Sequence, residues 1–86
     1  MQPGMVVLSK CGRDKGRPLV VLSVQGEYIL LADGDMRRLN KPKKKKVKHV
    51  QPTHTVFDLM STAPRALCDA DIRKWLSDFF ILRREI

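Results

Sequence analysis

Apolar residues gather in short β-branched runs across the first half of the chain and take up a helical period only near its end. Met5–Ser9 is the first such run, followed by Lys10-Cys11-Gly12-Arg13-Asp14-Lys15-Gly16-Arg17, a polar stretch whose two glycines mark a loop. Leu19–Val24 and Glu27–Ala32 are joined only by Gln25-Gly26, which predicts a hairpin. Asp33-Gly34-Asp35 predicts a second turn leading into Met36–Leu39 as a fourth strand, and Val47–Thr53 supplies a fifth. Five short strands punctuated by glycine-containing turns predict a small closed or nearly closed barrel.

Leu19, Val20, Val21 and Leu22 are consecutive, so this strand is apolar on both faces, and a small barrel fills its interior from only one. The other face needs a cover, and the end of the chain provides one. Ile72, Trp75, Leu76, Phe79 and Phe80 fall at i, i+3, i+4, i+7 and i+8, a single apolar stripe. Asp69 suits the N-cap, Asp71 the first turn, and Arg83 and Arg84 the C-terminal end of the helix dipole. The expectation is a mainly β fold. Residues 1–54 form the five-stranded barrel, and residues 55–86 form an extension whose amphipathic helix, about 69–84, packs on it as one structural unit.

Composition narrows the class. The 86 residues are 43% hydrophobic, which suits a globular chain. No apolar run approaches the roughly 18 residues of a membrane span. No basic segment followed by an apolar stretch suggests a secretory signal, so a cytoplasmic, non-membrane protein is expected. Cys11 and Cys68 are too few for a disulfide framework and read as reduced thiols.

Charge changes the picture most. Lys and Arg number 17 against 9 acids, a net +8. Residues 1–54 hold 12 basic and 4 acidic side chains, whereas residues 55–86 hold 5 of each. The first half therefore carries the whole excess and is the part expected to meet a polyanion. Eight of the twelve residues from Arg37 to Lys48 are basic: Arg37, Arg38, Lys41, Lys43, Lys44, Lys45, Lys46 and Lys48. Such crowding costs self-repulsion, which a bound polyanion relieves while releasing counterions. Two blander readings compete, a solvated run that keeps the protein soluble and a nuclear-localisation signal at Pro42–Lys48. Lys10, Arg13, Lys15 and Arg17 form a second basic group in the first loop. Gly12 and Gly16 there allow close backbone approach, and Asp14 suits a turn.

The stretch from Gly4 through Val24, with Val6-Val7-Leu8-Ser9 before Gly12-Arg13-Asp14-Lys15-Gly16 and Leu19-Val20-Val21 after it, resembles the KOW motif. Tyr28–Leu31, Asp33-Gly34, Arg37-Arg38-Leu39, Pro42–Lys46 and Lys48-His49-Val50 extend the likeness, and Val50-Gln51-Pro52-Thr53 and Asp69–Phe80 carry it across nearly the whole chain. The arrangement is similar to bacterial KOW-domain RNA-binding proteins related to eukaryotic-type large-subunit ribosomal proteins. One departure is Pro18-Leu19 after Arg17, where many KOW segments have another glycine. The resemblance implies an SH3-like barrel and binding to RNA, usually ribosomal, with ribosomal proteins as further neighbours.

Catalytic readings find little support. His49 and His54 are the only histidines and sit far in sequence from Cys11 and Cys68, so neither a zinc site nor any other metal or cofactor is expected. Asp69 and Asp71 are explained by the helix start, Asp33 and Asp35 by the turn. His49 reads as a strand residue. Trp75, Phe79 and Phe80 read as core, and Tyr28, the one aromatic in the strands, leaves base stacking a minor part. The expected function is therefore non-catalytic binding of structured RNA by a chain that is monomeric when free. Its rival is an SH3-like module docking a protein partner through the apolar stripe of the helix.

Overall fold

The computed structural model describes residues 1–13 and 15–84, with side chains as far as Ile81. Five antiparallel strands form one sheet: β1 (Met5–Ser9), β2 (Pro18–Gln25), β3 (Tyr28–Ala32), β4 (Lys43–Lys46) and β5 (Val50–Val56). One helix follows, α1 (Asp69–Arg84). The strand order is β4-β3-β2-β1-β5. The sheet does not close, because β4 and β5 are its two edges, yet they are consecutive in the chain and joined by a single 3₁₀ turn at Val47–His49.

The expected hairpin is present, with Gln25 opposite Tyr28 and Gly26-Glu27 as its two-residue loop. Gly26 takes φ +62°, the positive value such tight loops require. Strand alternation then sorts the apolar run of β2. Leu19 and Val21 join Val7, Ile29, Leu31 and Val50 in one buried cluster. Val20 turns the other way and joins Val6, Ile72, Leu76 and Phe79 in a second. Both faces are thus covered, the second by α1, as the consecutive apolar residues demanded.

The fourth strand is not where the pattern placed it. Met36–Leu39 is bent rather than extended, and the strand that pairs with β3 is Lys43–Lys46, with Ile29 opposite Lys45 and Leu31 opposite Lys43. Asp33 explains the bend. Its Oδ1 accepts hydrogen bonds from the amides of Asp35 (2.9 Å) and Arg37 (2.8 Å), which curls the chain back on itself. The turn also packs on the helix. Gly34 has φ +77°, a Cβ there would overlap the Asp69 carbonyl and the Arg73 stem, and Arg73 Nη1 donates to the Gly34 carbonyl (2.6 Å).

Three smaller expectations are also corrected. Asp69 does not cap its own helix; its carboxylate accepts the Leu39 amide (2.8 Å) and ties the turn region to α1. The capping function falls to Asp71, whose Oδ2 accepts the Cys68 amide (2.9 Å), while the Cys68 carbonyl accepts the Asp71 amide (3.0 Å). Phe80, at the border of the stripe, is half exposed, whereas Trp75 does pack against the buried cluster, partly buried and stacked on Phe57 with ring centroids 5.3 Å apart. His49 lies in the 3₁₀ turn instead of a strand. Asp14 and the side chains of Arg83 and Arg84 lie outside the described residues.

Among the described residues no helix is long and apolar enough to cross a membrane.

Candidate nucleic-acid interface

Because the lysine run is a strand, its side chains alternate between two faces. Lys43 and Lys45 share a face with Ile29 and Leu31, whereas Lys44 and Lys46 share the opposite face with Leu30 and Tyr28. The two pairs have different surroundings. The Lys45 ammonium donates to the Ser9 hydroxyl (2.5 Å) and to the Cys11 carbonyl (3.3 Å). Ser9 is buried and itself donates to the Cys11 carbonyl (2.9 Å), so the start of the first loop is pinned to β4. On the other face the ammonium groups of Lys44 and Lys46 lie 4.7 and 5.8 Å from the centre of the Tyr28 ring. Each such cation–π contact at an exposed site is worth about 0.5–1 kcal/mol, enough to bias where the lysines sit but not to hold them.

The pinning brings the two basic segments together. Cys11, Gly12, Arg13, Arg37, Lys43 and Lys45 line a hollow of about 150 Å³, with cations contributed by the first loop, the turn after β3 and β4. A wider hollow of about 400 Å³ shares Arg37 and Lys43 and continues to Arg38, Lys41 and Lys44, with Asp35 among its lining residues. Seven of the twelve sequence-predicted cations (Arg13, Arg37, Arg38, Lys41, Lys43, Lys44 and Lys45) thereby line two adjoining depressions.

The remaining five are placed differently. Lys46 and Lys48 line a separate hollow with Glu27, Val24 and Val47. Arg17 reaches the Met36 sulfur and lines a hollow with Arg73, Asp33, Asp35 and Phe80, on the helix side. Lys10 and Lys15 are exposed. The Lys10 amide donates to the His49 carbonyl (2.9 Å) and the Lys15 amide to the Gly12 carbonyl (3.3 Å), which shapes the loop without fixing either side chain.

Sequence reasoning missed three contributors. Ser9 and Cys11 hold Lys45, and Tyr28 lies beside Lys44 and Lys46. A polar residue ending an otherwise apolar strand was the available signal for Ser9, and an exposed aromatic opposite a lysine run was the signal for Tyr28. Cys11 and Cys68 are free and exposed, and no cluster of three or more metal-ligating side chains occurs among the described residues. No protein-family model matches the chain, and no curated protein matches it.

Proposed function

We propose that the protein is a non-catalytic binder of structured RNA, with ribosomal RNA as its target class. The observation that carries this reading is the convergence of Arg13, Arg37 and Lys43 with the anchored Lys45 around one hollow, continuous with a second hollow bearing Arg38, Lys41 and Lys44. Arg13 precedes every other cation of this group by 24 residues or more in sequence, so the fold itself concentrates them, at a cost in repulsion that a polyanion offsets. Recognition then rests on phosphate and shape, since the cations outnumber the aromatics on this surface. The resemblance of Gly12-Arg13-Asp14-Lys15-Gly16 and its flanking strands to the KOW motif supports RNA over duplex DNA and points to the ribosome.

The apolar stripe does not favour the rival reading, protein docking, because Ile72, Leu76 and Phe79 are spent covering the sheet. The test is a salt titration of RNA binding. Contacts with about five or six phosphates give a slope of log K against log[salt] of roughly −4 to −5. Binding that persists with a slope near zero removes the electrostatic basis of the proposal. Cross-linking in cells followed by sequencing of the attached fragments identifies the RNA.

A further inference from the structure

Phosphate and shape leave one aromatic side chain unaccounted for. Tyr28 begins β3 directly after the tight hairpin loop, belongs to neither buried cluster and remains exposed. The other rings are placed differently. Phe57 and Trp75 stack on each other beside the core, Phe79 is buried, and Phe80 lines a hollow that also holds Asp33 and Asp35. The Tyr28 ring has the ammonium groups of Lys44 and Lys46 over it, and neither lysine forms an ion pair among the described residues. They are held there weakly, since an exposed cation–π contact shifts an equilibrium by a factor of about 2–5. Stacking a nucleobase on an aromatic ring is worth a factor of about 5–150. A base therefore displaces the ammonium groups from the ring, and the phosphates attached to its nucleotide give them new partners. Lys44 and Lys46 stand two residues apart on one face of an extended strand, roughly 7 Å along it, close to the step between neighbouring phosphates of a nucleotide chain.

We propose that Tyr28 is a stacking platform for an unpaired base of the bound RNA, with Lys44 and Lys46 taking the phosphates on either side of that nucleotide. The proposal rests on the RNA-binding reading and adds a preference for a loop, a bulge or a frayed end. A base inside a duplex has both faces covered by its neighbours and offers none to a ring.

The experiment compares an RNA hairpin carrying an unpaired loop with a blunt duplex of the same stem, by fluorescence anisotropy at one salt concentration. The intact protein is expected to bind the looped RNA about tenfold tighter, within the range of one stacked base. Tyr28→Leu should bring that ratio to about one, with an unchanged melting curve showing that the fold persists. Tyr28→Phe, which keeps the ring, should retain the ratio. Tyr28 is the one tyrosine of the chain, so its ring resonances report directly on the site. They should move upfield with the looped RNA and stay in place with the duplex. Lys44→Gln/Lys46→Gln should flatten the salt slope for the looped RNA by about 1.4, the equivalent of two single-strand phosphates. An unchanged slope takes the lysines out of the site and overturns the assignment. Equal binding of the two RNAs by the intact protein overturns the platform and leaves the RNA reading standing. A ratio kept by Tyr28→Leu moves the unpaired-base contact elsewhere and overturns the proposal. Failure of both RNAs to bind overturns the RNA reading itself, and the platform with it.

Discussion

Beneath α1 the sheet is dry: Val6 and Val20 are fully buried under Ile72, Leu76 and Phe79, and the surrounding segment 55–86 carries no net charge. At the β4 edge the same sheet ends in four consecutive lysines, and the polar atoms that fix Lys45 among them are a buried hydroxyl and a backbone carbonyl. The first region is organised by removal of apolar area from water, the second by hydrogen bonding of one cation and mutual placement of the rest. A single β-sheet can host both because alternation along each strand separates the tasks: Val6 points to the helix while Val7 points to the opposite cluster, and Lys44 points to Tyr28 while Lys45 points to Ser9. Stability and binding are therefore expected to respond to different substitutions.

The largest effect that would test this separation lies under the helix. Ile72→Ala should cost about 2–5 kcal/mol of stability, a large share of what so small a domain possesses. RNA affinity measured where the variant remains folded should be unchanged; a drop there would show that α1 touches the RNA. On the other side of the comparison, Lys43, Lys44, Lys45 and Lys46 replaced by Gln should flatten the salt slope by about one unit for each phosphate that is no longer neutralised. The melting temperature of that variant should move little, and a collapse of the fold instead would mean that the Lys45 anchor belongs to the core.

Gly34→Ala probes the seam between the two regions. The residue needs φ +77° and has no room for a Cβ against Asp69 and Arg73, so the change should cost roughly 1–3 kcal/mol. It should also weaken RNA binding, because the same turn carries Arg37 and Arg38; unaltered affinity would show the turn to be independent of the helix. The smallest effect concerns Arg65, which pairs with Asp71 through two 3.0 Å hydrogen bonds at the start of α1. That pairing and the Cys68 amide hold the Asp71 carboxyl well below the usual carboxylate range. A carboxyl depressed in the folded state stabilises it above the unfolded value near about pH 4 and loses that contribution as pH falls further. Arg65→Gln should therefore lower the melting temperature slightly at neutral pH, with the gap to the intact protein closing only below about pH 4.

Much of this is legible in the sequence for a definite reason. The run Leu19–Leu22 demands two covered faces, and the spacing of Ile72, Leu76 and Phe79 identifies the cover. The fourth strand is not legible. Lys43–Lys46 has low intrinsic strand preference and no apolar alternation, so its strand is imposed by the β3 ladder, whereas Met36–Leu39 looks more extended than the Asp33 turn allows. Asp69 misleads for a related reason: local rules assign an early aspartate to its own helix, but the Leu39 amide, 30 residues away, claims it. The basic residues emerge from counting alone; that Arg13 meets Arg37 and Lys43 while Arg17 turns to the helix side needs the register.

The position of β4 at the end of the sheet order has a consequence for the protein's colloidal behaviour. An edge strand presents backbone groups on which another chain's strand can build, and natural sheets guard such edges with lysine. Here the guard is four lysines long and is the same strand proposed to meet phosphates. Anything that neutralises it also disarms it: a Gln-substituted strand, or a short polyanion too small to shield the edge sterically, leaves a backbone template without its charge. Light scattering of the variant with Lys43–Lys46 replaced by Gln should reveal self-association at concentrations where the intact protein stays dispersed, and short inorganic polyphosphate should drive the intact protein to self-associate where a long structured RNA does not. Under the proposed function, the solubility reading of the lysine run and the binding reading would be two states of one edge, free and occupied.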